Sequence, residues 1–301
     1  MKILLTGATG FVGSALCHQL AQADCVVTAL SRNPDAARQR LPMLHSVHEW
    51  QPCAGAAPTA AIESADAIVH LAGESVVGRW GKAQRRAIYN SRATGTRNLV
   101  AGIRSASSRP TVLISASAIG FYGDRGELEL TEAEPAGDDF LAGVCAAWEA
   151  AAQEAEDLGV RVARLRTGIV LGRGGGALEQ MLLPARLGMN GPLGSGRQWW
   201  SWIHIDDVLG IIRHTLDTQI RGPLNASSPA PVRQQQFAET LGAVLHRPSF
   251  VPAPALALRI VLGGFSAELL TSKRVLPAAL QEAGYEFRFP RLRAALDDLL
   301  A

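Results

Sequence analysis

Five short apolar runs rich in β-branched residues, "KILLT" (2–6), "VVTAL" (26–30), "AIVHL" (67–71), "TVLIS" (111–115) and "VRVARLR" (160–166), alternate with stretches of helical period at 14–23, 83–105 and 139–158. A strand that is apolar along its whole length must be covered on both faces, and parallel strands joined by helices supply that cover. The alternation predicts an α/β fold, a doubly wound parallel sheet. Beyond about residue 170 the rhythm breaks into glycine and proline clusters, "GRGGG" (172–176) and "GMNGPLGSGRQ" (188–198), with helical and strand-like pieces between them. These read as loops around a site rather than as linkers. From "HRPSFVPAPALAL" onward, Pro248, Pro252 and Pro254 precede amphipathic segments that predict a smaller C-terminal lobe.

The first run leads directly into "LLTGATGFVGSAL" (4–16), with glycines at 7, 10 and 13 ahead of a helical pattern. A strand, a tight turn and a helix N-terminus make an anion site, because unpaired backbone N–H groups and the helix dipole point at one place. Gly7, Gly10 and Gly13 fit the three demands of such a site: a sharp turn, close approach to a pyrophosphate, and close packing of helix on strand.

Composition narrows the partner. The chain of 301 residues carries a net charge of only +2, with basic and acidic residues interspersed, so the field that gathers nucleic acid or anionic lipid is missing. A small-molecule substrate is expected, with neither nucleic acid nor membrane as partner. No apolar run approaches the ~18 residues of a membrane span, and the first glycine follows "MKILLT" too closely for a secretory signal, so a cytoplasmic protein is expected. Cysteines 17, 25, 53 and 145 form no Cys-x-x-Cys and no Cys/His ligand set, which argues against structural zinc and a disulfide framework.

With Thr6, the glycine spacing resembles the TGxxGxxG signature of the short-chain dehydrogenase/reductase superfamily, in its extended, epimerase-like branch. Later segments fall in that family's order: "DAIVHLAG" (66–73), "LISASAIGFYGD" (113–124), "LRTGIVLG" (165–172) and "SWIHIDDV" (201–208). The resemblance implies a Rossmann-type sheet, a cofactor cradle of Gly7, Thr9, Gly10, Phe11, Val12 and Gly13, cofactor-flanking Leu71, Ala72 and Gly73, and an active-site serine at Ser117. It divides the chain into a cofactor-binding domain at 1–170, to which later segments return, and substrate-side loops with the C-terminal lobe at 171–301.

At the tip of the second strand, eighteen residues beyond Gly13, an enzyme using NAD places a carboxylate on the ribose 2′-hydroxyl. This chain has Ser31 and Arg32 there, a hydroxyl and a guanidinium suited to a 2′-phosphate, so NADP(H) is the expected cofactor; the alternative is a surface arginine near a turn. Arg92 stands where the family helix usually carries an asparagine, either as a clamp on the pyrophosphate or ribose or as an exposed helical arginine. Arg166 ends a strand that is otherwise buried, at the end where α/β folds bind ligands.

The superfamily's Tyr-x-x-x-Lys pair is absent. Aligning "FLAGVCAAWE" (140–149) by its end puts Leu141 at the tyrosine position and Cys145 at the lysine position, and neither can move the proton. Together with "LAGE" (71–74), "RW" (79–80), "SR" (91–92), "GFYGD" (120–124), "GPLGSGRQWWSWIHIDD" (191–207) and the proline-rich lobe, this resembles the atypical nucleoside-diphosphate-sugar epimerase-like family, whose name comes from its fold. Ser117 and Tyr122 are the catalytic candidates. Glu74, His204 and Asp206 are further titratable groups at the same rim; His204 also reads as a packed histidine, and Asp206 and Asp207 as caps of the following helix. Trp199, Trp200 and Trp202 read as a stacking wall for a ring substrate, with core packing an equal alternative for Trp202.

Two functions compete. One is an epimerase-like oxidoreductase performing NADP(H)-linked hydride transfer on a polar, sugar-like small molecule. The other is a non-catalytic NADP(H)-binding sensor or scaffold. A sugar-nucleotide or nucleic-acid binding protein without cofactor ranks last, and the expected state is a monomer or a homodimer.

Overall fold

The computed structural model describes residues 1–301. Thirteen strands follow along the chain: β1 (Lys2–Thr6), β2 (Val26–Ser31), β3 (Ser46–Glu49), β4 (Ala67–His70), β5 (Val112–Ala118), β6 (Glu129–Leu130), β7 (Arg161–Thr167), β8 (Ile169–Gly172), β9 (Trp199–Trp200), β10 (Trp202–His204), β11 (Gly222–Ala226), β12 (Val232–Arg233) and β13 (Arg274–Val275). The helices are α1 (Phe11–Gln22), α2 (Pro34–Arg40), α3 (Thr59–Glu63), α4 (Lys82–Tyr89), α5 (Gly95–Ser105), α6 (Phe140–Gln153), α7 (Gly176–Arg186), α8 (Ile205–Asp217), α9 (Gln234–Leu245), α10 (Ala255–Leu262), α11 (Ser266–Leu270), α12 (Ala278–Glu282) and α13 (Leu292–Leu300). Seven strands make one parallel sheet in the order β11-β7-β5-β4-β1-β2-β3.

Strand alternation assigns side chains to two cores. Ile3, Leu5, Val69, Ile114 and Leu165 pack on one face beneath α1 and α8, whereas Leu4, Ile68, Leu113 and Val162 pack on the other with residues of α3, α5 and α6. A third cluster joins α7, α9 and α13 around Trp200, Trp202 and Phe237. Two sheet strands escaped the sequence reading, β3 ("SVHE") and β11 ("GPLNA"). Both lie at sheet edges, where the continuous apolar run that marks a central strand is not required.

The helix expected over 83–105 is interrupted. Between α4 and α5 the backbone runs through a π-helical turn, Asn90–Thr94. Such a bulge turns one side chain out of the regular helical register, and here Arg92 sits within it.

Thr6, His70 and Thr96 tie β1, β4 and α5 together: Thr6 Oγ1 lies 2.7 Å from His70 Nδ1, and His70 Nε2 lies 3.0 Å from Thr96 Oγ1. Thr6 Oγ1 also accepts the Ala72 N–H, so one residue fixes the strand ends on both sides of the glycine turn. Burial lowers the His70 pKa from 6.5 to about 4. The unfolded chain therefore binds this proton more readily than the folded one; the stabilisation present above pH ~6.5 is lost as pH falls toward ~4, on the order of 3 kcal/mol in all. Denaturant titrations across that window should show the loss, and His70→Gln should flatten it.

Candidate active site

The cradle forms where β1 meets α1. Gly7 has φ +73°, and a side chain on Gly13 would overlap the Gly7 carbonyl oxygen, so the turn and the helix close on each other only because both residues lack a Cβ. Gly10 is the N-cap of α1 and offers no side-chain cap, which leaves the first-turn N–H groups open to an anion. Phe11 inserts its ring under the 172–176 loop: a Cβ built on Gly172, Gly175 or Gly176 would fall 2.5 to 2.7 Å from that ring. The glycine-rich cluster is thus a socket for the cofactor loop's own aromatic residue. At the tip of β2, Ser31 Oγ accepts the Asn33 N–H, and Arg32 is exposed beside it. On the opposite wall, the Arg92 guanidinium lies 5.2 Å from the Trp148 ring and donates to the Glu74 carbonyl at 2.9 Å. A Cβ on Gly73 would meet its Cζ at 3.3 Å, so Arg92 borders the turn after β4. Burial lowers its pKa, opposed by Cys145 and Glu74.

Sheet register builds the second half of the site. Ser117 of β5 is paired with Arg166 of β7, and Arg166 with Asn225 of β11. All three point to the face that α6 covers, because their neighbours Leu165, Leu224 and Ala226 pack on the other. From α6, whose start is capped by Asp139 accepting the Ala142 N–H at 2.8 Å, Glu149 reaches down into this row. Ser117 Oγ donates to Glu149 Oε1 at 2.7 Å. Arg166 grips the same carboxylate with two bonds, Nε to Oε1 at 2.8 Å and Nη2 to Oε2 at 3.0 Å, and its Nη1 donates to Tyr122 Oη and to the Glu132 carbonyl. Tyr122 Oη in turn donates to Asn225 Oδ1 at 2.6 Å. Ser117, Glu149 and Arg166 are each 4% exposed. Burial works against the Arg166 charge, but the hydrogen bonds and charge of Glu149 outweigh it and hold the guanidinium above its ordinary pKa.

Several sequence expectations change here. Arg166, expected at the cofactor, has every guanidinium nitrogen bonded inside the protein, and its main partner is the Glu149 carboxylate. Tyr122 is fully buried, burial pushes its phenol up to about 12, and its proton goes to Asn225, so it holds Arg166 rather than meeting a substrate. His204 itself caps α8, its Nδ1 accepting the Asp206 N–H. Asp207 is instead buried and accepts from the Arg288 and Phe289 N–H groups, anchoring the C-terminal segment. No aromatic wall forms: Trp200 and Trp202 are core, and Trp199 is flanked by Arg233 and Arg274. Leu141 and Cys145 are buried on α6, and burial pushes the Cys145 thiol up to about 12. Glu149 escaped the sequence reading, although a lone acid in the Ala-rich stretch "FLAGVCAAWEAAAQ" was the available signal.

A glycine turn opening a helix at the C-terminal edge of a parallel sheet, with a buried polar row two strands away, defines a dinucleotide-binding protein of the Rossmann type. The chain belongs to the NAD dependent epimerase/dehydratase family, whose profile matches residues 3–225; a domain of unknown function, DUF1731, matches residues 253–299. It is 37% identical to the Epimerase family protein SDR39U1 homolog, chloroplastic, of Arabidopsis thaliana, over 98% of this chain and 86% of that protein. It is likewise 37% identical to the Epimerase family protein SDR39U1 of Homo sapiens, over the full length of both. The crystal structure of human SDR39U1 (isoform 2) with NADPH superposes with a TM-score of 0.90 at 36% identity, covering 99% of each chain. No helix is long and apolar enough to cross a membrane.

Proposed function

We propose that this protein is an NADP(H)-dependent hydride-transfer enzyme acting on a small polar carbonyl or alcohol. The cofactor assignment is supported by the open N-terminus of α1, by the clash that any side chain at Gly13 would meet, and by Arg32, a guanidinium where an NAD enzyme keeps a carboxylate. NADPH, when bound, supplies the hydride. Gly7, Thr9, Gly10, Phe11, Val12 and Gly13 would hold the pyrophosphate, Ser31 and Arg32 the 2′-phosphate, and Leu71, Ala72, Gly73 and Arg92 the facing side.

The observation that carries catalysis is the Ser117–Glu149–Arg166 row. A buried ion pair is weak as a device for stability, since well-packed apolar residues serve as well or better. Here it fixes a hydroxyl at the C-terminal edge of the sheet. Because Glu149 takes its proton, Ser117 presents only lone pairs outward, so it orients a substrate hydroxyl as an acceptor. Tyr122 and Asn225 keep Arg166 in place behind it.

Purified protein should bind NADPH and oxidise it in the presence of some member of a panel of aldehydes, ketones and sugar nucleotides. Ser117→Ala should lower that turnover by about tenfold to a hundredfold while leaving NADPH affinity unchanged. Unaltered turnover would remove Ser117 from the reaction. NADPH binding with no turnover by any panel member would favour the second reading, a cofactor-binding sensor, which the buried Leu141 and Cys145 support.

A further inference from the structure

With its tyrosine and lysine missing from α6, the site described so far has an acceptor in Ser117 but no proton donor. The C-terminal lobe brings a lysine to the same edge of the sheet. Strand β13 pairs with β6, Arg274 opposite Glu129 and Val275 opposite Leu130. Arg274 turns outward to Glu129, at 3.0 Å, and toward the Trp199 ring. Alternation sends Lys273 to the other side, the side of Val275, which is buried against Ile119 and Tyr122 directly after β5. The neighbouring backbone is tied to the start of β8 as well: Ser201 Oγ donates to the Lys273 carbonyl, and the Ser201 carbonyl accepts the Ile169 N–H. The Lys273 backbone is therefore held beside the segments that follow β5 and β7.

Lys273 is 3% exposed, and its ammonium donates to Glu268 Oε2 at 3.1 Å and Thr271 Oγ1 at 2.6 Å, so two of its three N–H bonds are taken within the lobe. The Glu268 charge adds to the burial that pushes up the Cys145 thiol, which lies beside Gly120 in the position where the superfamily keeps its lysine. Composition separates a strut from a proton carrier. The chain holds 26 arginines and three lysines, at 2, 82 and 273, and Lys2 and Lys82 are exposed. A guanidinium serves an ion pair better than an ammonium does and cannot release a proton, whereas a lysine can.

We propose that Lys273, held by Glu268 and Thr271, is the proton donor of this site, supplied by the lobe in place of the pair missing from α6. The assignment rests on the hydride-transfer reading above. In the balanced step a carbonyl carbon gains the hydride of NADPH, the C=O π pair moves to oxygen, and that oxygen takes a proton from the Lys273 ammonium. The carbonyl becomes an alcohol, NADPH becomes NADP+, and solvent returns a proton to the amine.

Two arms test it, with 4-nitrobenzaldehyde as probe. In the first, full-length protein loaded with NADP+ is treated with the aldehyde and cyanoborohydride, and adducts are mapped by mass spectrometry. An adduct at Lys273, absent from Lys273→Met, is expected; adducts confined to Lys2, Lys82 and the amino terminus would overturn the placement. In the second, NADPH binding and oxidation by the aldehyde are compared in wild type, Lys273→Met and Lys273→Arg. Both variants should keep NADPH affinity and lose turnover by about a hundredfold or more. Turnover retained in Lys273→Arg would show that only the charge matters and would overturn the proton-donor role. A wild type that binds NADPH, yields the Lys273 adduct and leaves the aldehyde unreduced would instead overturn the hydride-transfer reading and the proton-donor role that depends on it, with the placement of Lys273 intact.

Discussion

Arg166→Met is expected to destabilise the protein by about 3–5 kcal/mol, because it strands the Glu149 carboxylate in a buried site. The carboxylate would lose both guanidinium bonds and keep only the Ser117 hydroxyl and the more distant Arg164, 4.0 Å away. Tyr122 would lose its Arg166 donor and Phe121 the guanidinium 3.5 Å from its ring centre. For a chain of this size each kcal/mol moves the melting temperature by roughly 2–4 °C, so a fall of about 10 °C is expected in calorimetry. The double variant Glu149→Gln/Arg166→Met should lose less than the sum of the two single changes, since no charge is then left stranded. An unshifted melting temperature for Arg166→Met would contradict the geometry of the row.

Arg32→Glu is the second large effect, on cofactor choice rather than stability. Arg32 is exposed at the end of β2, so its replacement leaves the cores intact. Removing a charge-assisted bond to a phosphate is worth about 1.5–3 kcal/mol, and a carboxylate in its place adds repulsion. NADPH affinity should fall by about a hundredfold while NADH affinity stays level or rises, since a carboxylate accepts the hydrogen bond that a ribose 2′-hydroxyl donates. Equal losses for the two nucleotides in a fluorescence titration would sink the assignment of the 2′-phosphate to Arg32.

How much of this was legible in the sequence depended on how local each signal was. Central strands β1, β2, β4, β5 and β7 could be read because burial on both faces forces unbroken apolar runs; β3 and β11, at the edges, could not. The glycine turn was legible because its demands fall within seven consecutive residues. Ser117 was placed by resemblance, but its partner Glu149 is 32 residues away, and only the stacking of α6 on the strand row brings them together. Arg166 was rightly seen as a charge that needs a partner, yet the partner is a carboxylate on a helix rather than a cofactor phosphate. Lys273 is the extreme case. Nothing near "TSKRV" marks it, and its place follows from the pairing of two-residue strands whose register no periodicity reveals.

The measurement that bears most directly on the whole account is a calorimetric titration of the wild-type protein with NADPH and with NADH. The cradle of Gly7, Gly10 and Gly13 together with Arg32 predicts one NADPH per chain, bound at least about tenfold more tightly than NADH. Absence of binding by either nucleotide, or equal affinity for the two, would contradict it.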